Sequence, residues 1–174
     1  MSHSQWEKKK YKKAASEGKT SKLYTKLVRM ITTEAKKCGG NKDAPELRMA
    51  IDKARAVNMP NDNIERAIKK ATELGEAMEH ITYEAYGPAG VGIVIQALTG
   101  NRNKAAQEIK FILSKNGFAL GAMGSVTWNF TKTENHWKPN TFVTVSEEDA
   151  NTLMALVEEL EDNDEVQEVF TNAE

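Results

Sequence analysis

Apolar residues keep a helical spacing through the first part of this 174-residue chain and then turn strand-like after residue 79, and that change limits the possible folds more than any other feature. Up to Ala71 they recur every three or four positions, the period of an amphipathic helix. From Ile81 they alternate, the period of a half-buried strand. The chain therefore reads as a helical part followed by an α+β part, with Leu74 to Glu79 (LGEAME) as the linker between them.

The helical part centres on Asp43 to Lys70. Leu47, Ala50, Ile51, Ala54 and Val57 form one apolar stripe, with Asp43 as the expected N-cap and Pro45 in the first turn, where a missing N–H is harmless. Asn58-Met59-Pro60 stops that helix, because Pro60 cannot continue the ladder and drives Met59 out of the α region. A second helix restarts at once, with Ile64, Ala67, Ile68 and Ala71 as its stripe. An earlier helix, Ser21 to Lys37, is capped by Thr20-Ser21, carries Leu23, Leu27, Ile31 and Ala35 inward and ends at Gly39-Gly40. Helix-turn-helix modules share this three-helix pattern, as does any small helical bundle.

Beyond the linker, Ile81, Tyr83 and Ala85 alternate with Thr82, Glu84 and Tyr86 as a leading strand. Gly87 to Gly90 turns the chain, and Val91 to Leu98 is a nearly continuous apolar run, hence a central strand. A helix follows over Asn101 to Asn116, then strands over Ser125 to Phe130 and Thr141 to Val145. Ser146 caps a helix that turns Leu153, Leu156, Val157 and Leu160 inward, and Val166 to Phe170 is the last strand. The expected fold class is thus α+β. An N-terminal three-helix domain within residues 1–75 precedes a ferredoxin-like βαββαβ domain with an extra leading strand at 80–174.

The net charge of −1 conceals two opposed halves. Residues 1–75 hold 18 Lys/Arg against 9 Asp/Glu, and residues 76–174 hold 6 against 16. A basic half of this kind is expected to meet a polyanion. The candidate phosphate contacts are Lys8, Lys9, Lys10, Lys12, Lys13 and Lys19 on the N-terminal arm, then Lys22, Lys26 and Arg29 on the first helix. Arg55, Arg66, Lys69 and Lys70 form a second strip on the helical pair. Trp6 and Tyr11 interleave with the arm lysines, where they suit stacking on exposed bases and equally suit pinning the arm onto the helices. The acidic half is expected to orient the protein or to meet a protein partner.

Other chemistries find little support. Cys38 is the single cysteine, so an internal disulfide is excluded, and its place before Gly39-Gly40 suits a small buried residue. His3, His80 and His136 lack metal-ligand spacing, and GPAGVG at 87–92 lacks the lysine of a phosphate loop. The acidic run Glu158 to Glu165 reads as a solvated helix end, and Trp128 and Trp137 read as core or edge packing. Nothing marks a nucleophile or an acid–base pair, so neither an enzyme nor a cofactor nor a metal is expected. No apolar run is long enough to span a bilayer and no secretory leader is evident, so a cytoplasmic protein without a membrane partner is expected, as a monomer or weak homo-oligomer.

Several short pieces, taken in order, resemble the YebC/PmpR family. They are His3-Ser4-Gln5-Trp6 with the lysine arm, Leu47-Arg48 with Ala50 to Arg55, Asn58-Met59-Pro60 with Asp62 to Lys70, Tyr86-Gly87-Pro88, Asn101-Arg102-Asn103, Gly124-Ser125-Val126, and Leu160-Glu161-Asp162 with Val166-Gln167. Gln5 and Glu46 stand where that family usually has basic residues, and Ala85, Ala89 and Gly100 replace a usual Gly, Gly and Asp. The chain also runs from Phe130 to Trp137-Lys138-Pro139 without the third domain usually inserted near 131–137, so it resembles a short form. The resemblance implies a nucleic-acid-binding regulator of gene expression, of the DNA-binding transcriptional type. The alternative is a ribosome-associated translation factor that relieves stalling, since the family also includes mitochondrial translational activators. A ferredoxin-like ligand-binding or protein-interaction module is the remaining reading.

Overall fold

The computed structural model describes residues 20–73, 78–134 and 136–174, and the chain divides into two compact units between Glu79 and His80. In the first unit, α1 (Thr20–Lys37), α2 (Pro45–Ala56) and α3 (Asn61–Thr72) enclose one apolar core. Leu27, Ile31 and Ala35 of α1 meet Leu47, Ala50, Ile51 and Ala54 of α2 and Ile64, Ala67 and Ile68 of α3 there. These are the stripes that the helical period predicts. The α2–α3 turn is tied down from outside: Asn58 takes φ 60°, Met59 is buried, and the Tyr24 hydroxyl of α1 donates to the Asn58 carbonyl at 3.0 Å and to that of Val57 at 3.3 Å. The expected Asp43 cap is replaced. Ala44 occupies the N-cap position of α2 without a side-chain bond, because the Asn41 side chain bonds the Asp43 N–H at 3.0 Å and folds the loop one residue further. Cys38 is half-buried, with its thiol directed at the Ala35 and Asn41 carbonyls.

The second unit is built on a three-stranded sheet in the order β1 (Glu79–Tyr86), β2 (Gly92–Thr99), β5 (Val166–Thr171). β2 and β5 are antiparallel, with Ile93 opposite Thr171 and Ile95 opposite Val169, and their register shifts between Gln96 and Ala97. Helices α4 (Arg102–Lys115) and α5 (Glu147–Asp162) cover one face, where Ile109, Ile112, Leu113, Leu153, Leu156 and Leu160 pack on Ile93, Ile95 and Ala97. A hairpin of β3 (Phe130–Thr133) and β4 (His136–Pro139) lies on the other, where Val94 and Phe170 meet Val126, Phe130 and Trp137. With both faces covered, the apolar run of β2 is accounted for. Asn101 and Ser146 cap α4 and α5, each accepting a backbone N–H three residues on, at 3.1 Å.

The α+β class stands, and the two helices share one sheet face as a ferredoxin-like unit requires, yet two expected strands differ. Ser125 to Phe130 forms a strand only at Phe130, since Thr127–Asn129 is a 3-10 turn. The ladder is unavailable there because the N–H groups of Gly124, Val126 and Thr127 are bonded to the Glu84 carboxylate. Thr141 to Val145 is reduced to one parallel bridge, Val143 to Ala173, beside the end of β5. The acidic run after Leu156 is also more engaged than a solvated end. Buried Glu165 pairs with Lys104 at 3.2 Å, and Glu159 pairs with Lys115 and accepts from Asn116. Those two bonds outweigh burial and hold the Glu159 carboxyl below its ordinary pKa.

Candidate nucleic-acid interface

Burying Ile64, Ala67, Ile68 and Ala71 turns the remaining positions of α3 outward. Arg66, Lys69 and Lys70 are exposed and form no ion pair among the described residues. They occupy the last two turns, with Arg66 and Lys70 about 6 Å apart along the axis at 1.5 Å per residue. Of the two acids flanking those turns, Glu65 is taken by Lys42 at 2.6 Å and Glu73 is the exposed C-cap residue. Part of this placement is structural, because cations favour the negative end of a helix dipole. The opposite end of α3 carries Asp62 and no cation. The strip is therefore cationic at its C-terminal end only.

The other expected contacts divide. Arg55 in the last turn of α2 and Lys22 in the first turn of α1 are exposed. Lys26 is only 6% exposed and already interacts within the chain. Arg29 is half-buried and engaged as well. Lys8, Lys9, Lys10, Lys12, Lys13, Lys19, Trp6 and Tyr11 lie outside the described residues. Arg48 and Lys53, absent from the expected strip, are exposed on α2, but they share a shallow depression with Asp43 and Asp52. Two acids beside two bases leave that depression without net pull on an anion.

In the second unit the most constrained group is Glu84 of β1, 5% exposed. Its Oε2 accepts the Gly124 N–H at 2.7 Å, and its Oε1 accepts those of Val126 and Thr127 at 2.9 and 2.6 Å. Burial alone would raise its pKa. The bonds from the Thr127, Gly124 and Val126 N–H groups and from the Thr127 side chain outweigh that and lower it. A carboxylate so placed fixes a loop rather than exchanging protons. Trp137 packs against the Val94–Phe170 cluster as expected, whereas Trp128 is 71% exposed, contrary to the expectation of packing. It begins the 3-10 turn's outward side, which a strand reading of the same residues would not reveal. Among the described residues no three His, Cys, Asp or Glu side chains gather to hold a metal, and no helix is long and apolar enough to cross a membrane.

Residues 4–74 match the family profile described as the TACO1/YebC protein N-terminal domain, and residues 78–135 and 130–173 match the TACO1/YebC second and third domain. The chain belongs to the TACO1/YebC family. Among TACO1/YebC relatives, a "probable transcriptional regulatory protein" of Chlorobaculum parvum is 48% identical over 168 residues, covering 94% of this chain and 66% of the relative. One of the same name from Fervidobacterium nodosum is 38% identical over 232 aligned positions, covering 98% of this chain and 92% of the relative. The chain thus spans about two thirds of the Chlorobaculum protein's length. A crystal structure of a conserved hypothetical protein from Aquifex aeolicus superposes with a TM-score of 0.80 at 30% identity, covering 91% of each chain. The second-and-third-domain match comes in two pieces that meet at 130–135, the β3–β4 hairpin.

Proposed function

We propose that this chain regulates gene expression by holding a nucleic-acid backbone against the C-terminal turns of α3, with the lysine arm before α1 extending the contact. The observation that carries the reading is the strip Arg66, Lys69 and Lys70, exposed and unpaired on the side of the helix opposite its core. The relatives named as transcriptional regulatory proteins agree with it. The contact is with phosphates rather than base edges. A helix-turn-helix recognition helix reads bases with its N-terminal residues. Here that end of α3 carries Asp62, which a phosphate backbone repels.

A sequence-blind backbone contact suits ribosomal RNA as well as duplex DNA, and this favours a second reading as a ribosome-associated translation factor. One experiment tests both. The protein and its R66E/K69E/K70E variant are titrated against duplex DNA and against intact ribosomes at matched salt. Three lost phosphate contacts lower the slope of log K against log salt by about 2.7 on duplex. Unchanged affinity and slope in the variant would refute the proposal. Tight ribosome binding with weak duplex binding selects the translational reading, and the reverse selects the transcriptional one.

A further inference from the structure

The loop that Glu84 anchors and the adjoining end of β1 present three large apolar side chains to solvent. Tyr86 is 45% exposed, Met123 97% and Trp128 71%. Two of them are oriented by the same atom: the Tyr86 hydroxyl and the Trp128 Nε1–H both donate to the Ser125 carbonyl, the latter at 2.8 Å. Their polar edges are therefore satisfied inside the loop, and the ring surfaces are what the loop offers outward. The backbone beneath is tied down, with Gly124 at φ 84° and its N–H, with those of Val126 and Thr127, bonded to one buried carboxylate. Fixed rings lose little conformational freedom on binding, which favours affinity.

Charge narrows what the rings receive. Residues 116–131 contain no ionisable side chain, and the next cations along the chain are Lys132 and Lys138, both exposed on the β3–β4 hairpin. Two acids are near: Glu84, whose oxygens are taken by the loop's N–H groups, and exposed Glu134 at the hairpin tip between those lysines, while residues 147–168 hold ten Asp/Glu and no Lys/Arg. Three side chains supply at most a few hundred Å², at roughly 150–250 Å² per large aromatic. A stable protein interface needs about 800 Å² per partner. A flat π-surface is a closer match in size, and unpaired bases stack on exposed aromatics whatever their sequence. We propose that Trp128 and Tyr86 form a stacking platform for unpaired nucleobases of a single strand. This goes beyond the α3 proposal, since it places a base contact on the other unit, and it is tested separately.

Labelled single-stranded RNA, DNA of the same sequence and the matching duplex are titrated against wild type, Trp128→Ala and Trp128→Phe. In parallel, the quenching of Trp128 emission is read in a W6F/W137F background. The platform predicts quenching by the single strands, an affinity about tenfold lower for Trp128→Ala on single strands alone, and rescue by Trp128→Phe. Single-strand binding without quenching, or an equal loss on duplex and single strand, would overturn it and leave the α3 strip as the sole contact. Trp128 emission that shifts with protein concentration in the absence of nucleic acid would also overturn it, assigning the surface to a second copy of the chain. The R66E/K69E/K70E variant separates the two proposals, because it changes the salt slope while leaving the quenching of Trp128 at saturation.

Discussion

Replacing Glu84 by glutamine tests whether one buried carboxylate organises the second unit. Glutamine keeps one acceptor oxygen. With that oxygen facing the Val126 and Thr127 N–H groups, its amide nitrogen opposes the Gly124 N–H, donor against donor. The change removes one charge-assisted bond, worth about 1.5–3 kcal/mol, and weakens two others by roughly 1 kcal/mol each. Burying a neutral group instead of a charge recovers about 1 kcal/mol of that. The net loss is about 3 kcal/mol, which lowers the melting temperature of a unit this size by more than about 10 °C. The assay is urea unfolding in a W6F background, where the two remaining tryptophans both lie in this unit and Trp137 packs in its core. The pH dependence adds an independent check. Folded Glu84 titrates below the ordinary glutamate value of 4.5, to which it returns on unfolding. Its contribution is complete above 4.5 and is lost as the pH falls through its lowered folded pKa. Wild type and Glu84→Gln therefore differ most near neutrality and converge in acid. A difference under about 1 kcal/mol at pH 7, against the sum above, or one that does not narrow on acidification, would refute the reasoning.

Two further outcomes follow from packing. Tyr24→Phe removes the hydroxyl bonded to the Val57 and Asn58 carbonyls, and thermal unfolding of the helical unit should show a loss of about 1 kcal/mol, with core contacts unchanged. In Gly92→Ala the new Cβ would sit 2.9 Å from Val126 Cγ1 and 3.4 Å from Phe130 Cε2. It forces the hairpin side of the sheet apart at a cost of about 1–3 kcal/mol, measurable by urea titration, with the helical unit unaffected.

The helices were legible because their stripes are long. Leu27, Ile31, Leu47, Ile51, Ile64 and Ile68 declare a 3.6-residue period that no other structure satisfies, and each is buried. Contacts across long stretches of sequence were not. Glu84 stands among the alternate positions of β1 that pattern alone assigns outward, yet it is buried because its partners, about 40 residues on, are backbone groups that no residue type advertises. The same bonds convert an apparent strand over Ser125 to Phe130 into a turn and push Trp128 out into solvent. Lys26 shows the same limit at one position: nothing in the spacing of α1 tells that a lysine beside the stripe is only 6% exposed. The cations of α3 were legible because four buried neighbours leave them only one direction to point.

The hairpin ladder closes at Thr133 opposite His136, and its register continues inward through Lys132–Trp137 and Thr131–Lys138 to Phe130–Pro139. Chain leaving at Thr133 and returning at His136 does so across a single strand spacing, about 5 Å. Whatever joins those two points, a couple of residues or a whole folded lobe, meets the same doorway, and Phe130 and Trp137 stay seated against Val94 and Phe170. The size of the molecule can thus vary at this tip without renegotiating its interior. A reporter domain with adjacent termini spliced between Thr133 and His136 should leave both faces of the sheet intact.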